Sequence, residues 1–149
     1  MAKAEETVLE IDLNALGHNY NFLRSKIKPD TKFMAVVKAY AYGSESVAIA
    51  NHLQDLGADY FAVAYGNEGI ALREGGITAP ILVLHPQKIH FATLIEHQLE
   101  PSIYSLSILS DFIATASSLN IQEYPVHLKF NTGLNRLGFS ADELPDISN

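Results

Sequence analysis

The sequence contains no cysteine. That absence removes disulfides, thiolate zinc sites, iron–sulfur clusters and a cysteine nucleophile together. Positive charge is scarce too: Lys and Arg total 10 against 17 Asp and Glu, for a net charge of -7. With no basic run to offset it, this balance argues against a nucleic-acid partner. No apolar run approaches the roughly 18–20 residues that span a bilayer. The opening Met1–Glu6 lacks the apolar segment of a secretory signal. A cytoplasmic protein with no membrane partner is therefore expected.

Several chemical patterns are missing as well. Gly66-Asn67-Glu68-Gly69 and Gly75-Gly76 are glycine clusters, but neither G-x-x-x-x-G-K-[ST] nor G-x-G-x-x-G occurs. No serine sits in a G-x-S-x-G elbow. The histidines are His18, His52, His85, His90, His97 and His127. They offer no convergent set with carboxylate or thiolate, so no metal is expected. His18 and His52 are expected on solvated helix faces.

What is present is a chain of 149 residues, 48% apolar and 18% charged, enough for one globular domain with a core. Short apolar runs alternate with segments of helical period. Residues 8–12 suggest a first strand. From Leu13, the positions Leu13, Leu16, Tyr20, Leu23 and Ile27 form one helical stripe, with Asp12 as N-cap and Pro29 as the stop. The run 33–38 is apolar until its last residue, as in a strand buried on both faces. A helix over about 45–56 follows, capped by Gly57. Strands are then expected at 60–64, 81–84, 99–103 and 126–130, with helices at 67–74, 89–97 and around 108–116. Ser140-Ala141-Asp142-Glu143 reads as a capping box at a helix start.

Leaving the first run aside, these are five βα units. Such alternation implies a parallel sheet with helical crossovers. The spacing of roughly 20–25 residues per unit suggests an α/β fold of the (β/α)8 barrel type. Five strands do not close such a barrel. A truncated piece is expected, with an open sheet or pairing of two copies as alternatives. No internal repeat or linker divides the chain, so 1–149 is read as one domain.

The chemistry concentrates in Val36-Val37-Lys38-Ala39-Tyr40-Ala41-Tyr42-Gly43. A lysine here stands at the C-terminal end of a buried strand, where βα barrels build their active sites. Partial desolvation there disfavours the ammonium form, and a neutral amine is what Schiff-base chemistry needs. Tyr42 is four residues on, and Gly43 suggests close backbone approach. A strand-end lysine is also an ordinary snorkelling surface residue. Residue type alone leaves both readings open.

The segment resembles the cofactor-lysine signature of alanine racemases, V-K-A-N-A-Y-G-H-G. Lys38, Ala39, Ala41, Tyr42 and Gly43 match it, whereas Tyr40, Ser44 and Glu45 depart from it. Residues 127–139 resemble the family stretch K-x-D-T-G-M-x-R-L-G. Lys129, Thr132, Gly133, Arg136, Leu137 and Gly138 match; Asn131 replaces the aspartate and Leu134 the methionine. The opening from Glu10 to Leu16, with Asn19 after it, is also similar. The three segments keep the family order over essentially the whole chain. Tyr42-Gly43-Ser44 and the 63–69 stretch look most like racemase domains fused to a cell-wall ligase.

The resemblance implies a pyridoxal 5'-phosphate (PLP) isomerase that interconverts L- and D-alanine for peptidoglycan synthesis and acts as a homodimer. Carried over by motif, Lys38 is the Schiff-base lysine and one catalytic base. Tyr42 contacts the cofactor phosphate, and Arg136 approaches the cofactor phenolic oxygen and the substrate carboxylate. Lys129 falls where the family lysine is often carbamylated, which would place a negative partner beside Arg136. The second base belongs to a C-terminal β domain that this chain lacks, so little or no activity is expected of the piece alone. The alternatives are a PLP-binding carrier without turnover, a PLP-barrel amino-acid decarboxylase, or a structural fragment that dimerises through its strand edges.

Overall fold

Asp12 caps the first helix: its carboxylate accepts from the backbone N–H of Asn14 and Ala15 at 2.9 and 3.0 Å. The computed structural model describes residues 7–147. Helix α1 spans Leu13–Arg24 and so ends before Pro29. Of its stripe, Tyr20 is buried, but Leu23 and Ile27 are exposed. The apolar spacing marked a helix, yet only its first turns meet another element. Residues 8–12 are not a strand, and Val8 and Leu9 are exposed, because no neighbouring strand offers them a ladder.

Five strands follow in chain order: β1 (Met34–Val36), β2 (Tyr60–Val63), β3 (Ile81–Val83), β4 (Glu100–Ile103) and β5 (His127–Leu128). They form one sheet in the order β1-β2-β3-β4-β5, parallel throughout. Between them lie α2 (Lys38–Gly43), α3 (Ser46–Asp55), α4 (Gly66–Glu74), α5 (Phe91–Glu96) and α6 (Leu106–Ser118). The Ser140 capping box forms as read, opening a 3-10 turn at Ala141–Glu143 and then α7 (Leu144–Ile147). This is the α/β arc of a βα barrel, with sequence-adjacent strands as spatial neighbours.

Burial differs along the sheet. The central strand β3 is buried at every position, and β2 and β4 at all but their first residue. In β1 only Ala35 is buried, while Met34 and Val36 are exposed. The 33–38 run is thus not buried on both faces, because β1 is an edge strand with a neighbour on one side only. The core lies between sheet and helices, around Phe61, Ile81, Ile103, Leu72, Leu94 and Phe112. His52 departs from its expected solvated face. Its Nε2 is buried without a partner, and a side chain on Gly17 of α1 would come within 3.1 Å of it. Ile89 lies outside α5 in a 3-10 turn and is exposed.

Polar groups tie the elements together. Arg73, in the last turn of α4, donates to the carbonyls of His97, Ile77, Ala79 and Gln98 at 3.1, 2.8, 2.7 and 2.9 Å. Burial holds its pKa below the ordinary arginine value. The Tyr124 hydroxyl reaches the carbonyls of Leu94 and Leu99 at 3.1 and 3.0 Å. Burial, helped by the Glu100 charge, pushes this phenol up to about 12, so it stays a donor. At the strand starts, Tyr60 bonds Glu100, and His127 Nε2 lies 2.9 Å from the same carboxylate and 3.0 Å from the Tyr60 hydroxyl.

Two predictions follow from this clamping. Arg73→Met keeps the stem but strands several half-buried carbonyls, and is expected to lower unfolding stability by about 3 kcal/mol in urea titration; no measurable loss would refute the clamp. Asp59 has its carboxylate held below the ordinary value of 3.8, first by the Phe33 N–H and then by Lys32. A lowered folded-state pKa contributes stability above pH 3.8 that is lost as pH falls through the lowered value. Asp59→Asn is expected to flatten the acid limb of stability against pH and leave the neutral-to-alkaline limb unaltered.

Candidate active site at the carboxyl ends of the strands

Lys38 follows β1 with only Val37 between them, but the chain does not continue extended. Ala39, Tyr40, Ala41 and Tyr42 have φ between 50° and 61° and ψ between 41° and 52°. This is one turn of left-handed helix built from L-residues, which costs roughly 1–2 kcal/mol per residue. At its two ends the Ala41 N–H bonds Val37 O at 3.0 Å and the Ser44 N–H bonds Tyr40 O at 2.7 Å. The Ser44 hydroxyl adds a bond to Ala41 O at 2.9 Å. Gly43 closes the turn at φ +91°, and a Cβ there would meet nothing within 4 Å. It serves the backbone angle, and no side chain or backbone among the described residues packs against it.

One carboxylate holds this turn to the next βα unit. Glu68 Oε1 accepts from the Ala39 N–H at 2.7 Å. Its Oε2 accepts from the N–H groups of Ala64 and Tyr65 at 2.6 and 3.1 Å. The residue after Lys38 is thereby pinned to the end of β2 and the start of α4. Sequence reading passed over Glu68 inside a glycine cluster. Its signal was the position three residues after the helix N-cap, where a capping-box carboxylate belongs.

At the far end of the sheet, Lys129 extends β5, its N–H bonded to Ile103 O at 2.8 Å. The 131–138 loop then returns on itself. Asn131 N–H bonds Phe139 O, and Phe139 N–H bonds Lys129 O, at 2.9 and 2.8 Å. Asn131 Oδ1 accepts from the N–H groups of Gly133 and Asn135, and Asn131 Nδ2 donates to Asn135 Oδ1 at 2.9 Å. Asparagine at 131 thus organises the loop through an acceptor that an aspartate would also have. Gly138, at φ +131°, is indispensable to the return: a Cβ would sit 2.5 Å from Asn131 N.

The loop brings Arg136 over the strand ends. Lys38, Lys129 and Arg136 line one hollow of about 380 Å3, together with Ala64, Tyr65, Leu84, His85 and Leu137. Lys38 is half-buried and its Nζ lies 6.0 Å from the centroid of the Tyr42 ring. Tyr42 itself is 70% exposed and stands at the rim, beside Lys38 but outside the hollow's lining. The ion pairs among the described residues, Lys32–Asp59, Lys88–Asp111 and His127–Glu100, all lie elsewhere. Three cationic side chains without a paired carboxylate make an anion site, and two of them, Lys38 and Lys129, are primary amines able to condense with a carbonyl. A larger groove of about 520 Å3 beside α6 has Tyr124 as its only ionisable lining residue and holds none of this chemistry.

A parallel βα arc with three cationic side chains gathered at its carboxyl ends defines a domain of the βα-barrel class. Its family is more specific: the chain belongs to the alanine racemase N-terminal domain family, whose model matches residues 11–149. The alanine racemase of Geobacillus stearothermophilus is 41% identical over 140 residues, 93% of this chain and 35% of the relative. That of Synechocystis is 41% identical over 137 residues, 87% of this chain and 35% of the relative. The alanine racemase structure from Clostridium difficile superposes with a TM-score of 0.86 at 34% identity, over 91% of this chain and 36% of that one. A Bartonella henselae alanine racemase with covalently bound pyridoxal phosphate gives 0.82 at 29%, over 92% and 40%. The chain therefore spans little more than a third of the relatives it matches.

Glu68 yields a test of the turn. Glu68→Ala leaves the N–H groups of Ala39, Ala64 and Tyr65 without their acceptor and is expected to cost about 3 kcal/mol. Amide hydrogen exchange should accelerate at those three positions. Unaltered exchange at Ala39 would show that the left-handed turn holds itself.

Proposed function

We propose that this chain is the N-terminal, PLP-binding part of an alanine racemase, in which Lys38 holds the cofactor and moves the proton of the substrate Cα. The observation that carries it is the convergence of Lys38, Lys129 and Arg136 on one hollow from opposite ends of the sheet. The family membership and the covalently bound cofactor of the Bartonella relative support it.

The residues fit the cofactor by their chemistry. The half-buried Lys38 amine offers the nucleophile for an aldehyde, and Arg136 and Lys129 offer counter-charge for phenolic and carboxylate oxygens. Tyr42, beside Lys38 at the rim, offers a phenol to the phosphate. When bound, PLP supplies the electron withdrawal that acidifies the substrate Cα proton. What the protein adds is position. The left-handed turn aims Lys38 from the end of β1, and the Glu68 bonds keep that aim against rotation of the turn. The Lys38 amine is the base on one face of the substrate; Arg136 holds the carboxylate, with a fixed fork suited to a planar anion. Lys129 is at hand to become a carbamate, which would turn a repulsive neighbour of Arg136 into an orienting one.

Racemisation needs a second base on the opposite face. On this reading it is a tyrosine of a C-terminal β domain, supplied by the partner subunit of a homodimer. The product is D-alanine for peptidoglycan, made in the cytoplasm. No helix among the described residues is long and apolar enough to cross a membrane.

The test uses the intact protein that carries this sequence, reconstituted with PLP. Wild type is expected to show the visible absorbance of lysine-bound PLP and to exchange the alanine Cα hydrogen with solvent. Lys38→Ala should abolish the band and slow exchange by about 10³-fold or more. Absorbance without exchange would favour a carrier. Release of an amine from a basic amino acid would favour a decarboxylase.

A further inference from the structure

His85 is the one imidazole of the hollow, and neither the motifs nor the proposed reaction uses it. Its backbone is fixed. The Leu84 and His85 N–H groups bond Val63 O and Ala64 O, both at 2.9 Å, which extends the β2–β3 ladder past its last paired residues. Pro86, fully buried, anchors the following residue. The imidazole is fixed as well. It stacks on the Tyr104 ring at 5.8 Å and 9°, and meets the Tyr65 ring edge-on at 5.6 Å and 76°. Two aromatic neighbours on different strand ends leave it little rotational freedom.

The ring's protonation is biased by one of these neighbours. The Tyr104 hydroxyl lies 3.4 Å from His85 Nδ1, a long hydrogen bond. Burial raises the Tyr104 pKa, so its phenol keeps its proton and has it to donate to Nδ1. An Nδ1 that accepts puts the imidazole proton on Nε2. Nε2–H then has no hydrogen-bond partner among the described residues, while the residue lines the same hollow as Lys38, Lys129 and Arg136.

We infer that His85 is a ligand-binding residue of this site, whose Nε2–H donates to an anionic oxygen of the molecule held beside Lys38. The inference rests on the PLP reading above. The oxygen belongs either to the cofactor phosphate or to a substrate carboxylate; both are anions that a nitrogen-lined hollow attracts. His85 would be a fourth nitrogen donor, added from the end of β3 to those from β1, β5 and the 131–138 loop.

The experiment titrates the intact protein with PLP, with pyridoxal, which lacks the phosphate, and with propionate, a carboxylate without an amine. The visible band of the lysine-bound cofactor is the readout. His85→Ala is expected to weaken binding of one anion about tenfold, the loss of one charge-assisted hydrogen bond. Weakening for PLP but not pyridoxal assigns the phosphate; weakening for propionate alone assigns the carboxylate. His85→Gln retains a side-chain N–H donor and should recover most of the affinity, which a purely packing role would not predict. Tyr104→Phe, which removes the tautomer bias, should show a smaller weakening of the same kind. If His85→Ala binds all three ligands as wild type does, His85 is a wall residue and the inference fails, with the PLP reading intact. If wild type itself never develops the band, both fail together.

Discussion

A carboxylate grip on three backbone amides is the constraint on which the site depends. Four consecutive L-residues in a left-handed turn are several kcal/mol uphill on their own, and the N–H of Ala39, at the start of the turn, finds its acceptor outside it. Glu68 takes that N–H with one oxygen and the N–H groups of Ala64 and Tyr65 with the other. Because its donors come from two successive βα units, the same side chain joins turn to sheet. The turn's left hand sets where Lys38 leaves the strand, so the geometry of the amine rests on a residue that bears no reactive group.

Charge is the second theme. A chain of net charge -7 collects two lysines and an arginine around one hollow. Keeping like charges together costs free energy in the empty site. That cost is offset when an anion binds, so the arrangement favours occupancy by a phosphorylated or carboxylated molecule. Glu68, the nearby acid, spends both oxygens on backbone amides and pairs with none of these cations. The positive potential of the hollow is thereby preserved.

The opposite end of the sheet is built differently. Tyr60, Glu100 and His127 begin β2, β4 and β5 and bond one another. Arg73 and Tyr124 hold carbonyls of the segments that lead into β3 and β4. Polar groups at the strand starts therefore satisfy one another or the backbone, whereas those at the strand ends stay available. This is the usual division of labour in βα barrels, stability at one face and chemistry at the other.

Much of this was legible in the residues alone. The alternation of apolar runs with helical periods determined five parallel strands, since only a crossover returns a chain to a parallel neighbour. The motifs around Lys38, Lys129 and Arg136 singled out three cations that the fold brings to one hollow. Periodicity could not tell that Met34 and Val36 are exposed, that residues 8–12 find no partner strand, or that His52 buries its Nε2, because burial depends on which elements become neighbours. The left hand of the 39–42 turn was equally hidden. Alanine and tyrosine do not favour it locally, and the carboxylate that takes the Ala39 N–H arrives from another βα unit. The placement of His85 was hidden for a similar reason: a residue after an apolar run carries no motif, and its ring is held by two tyrosines that tertiary structure alone sets against it.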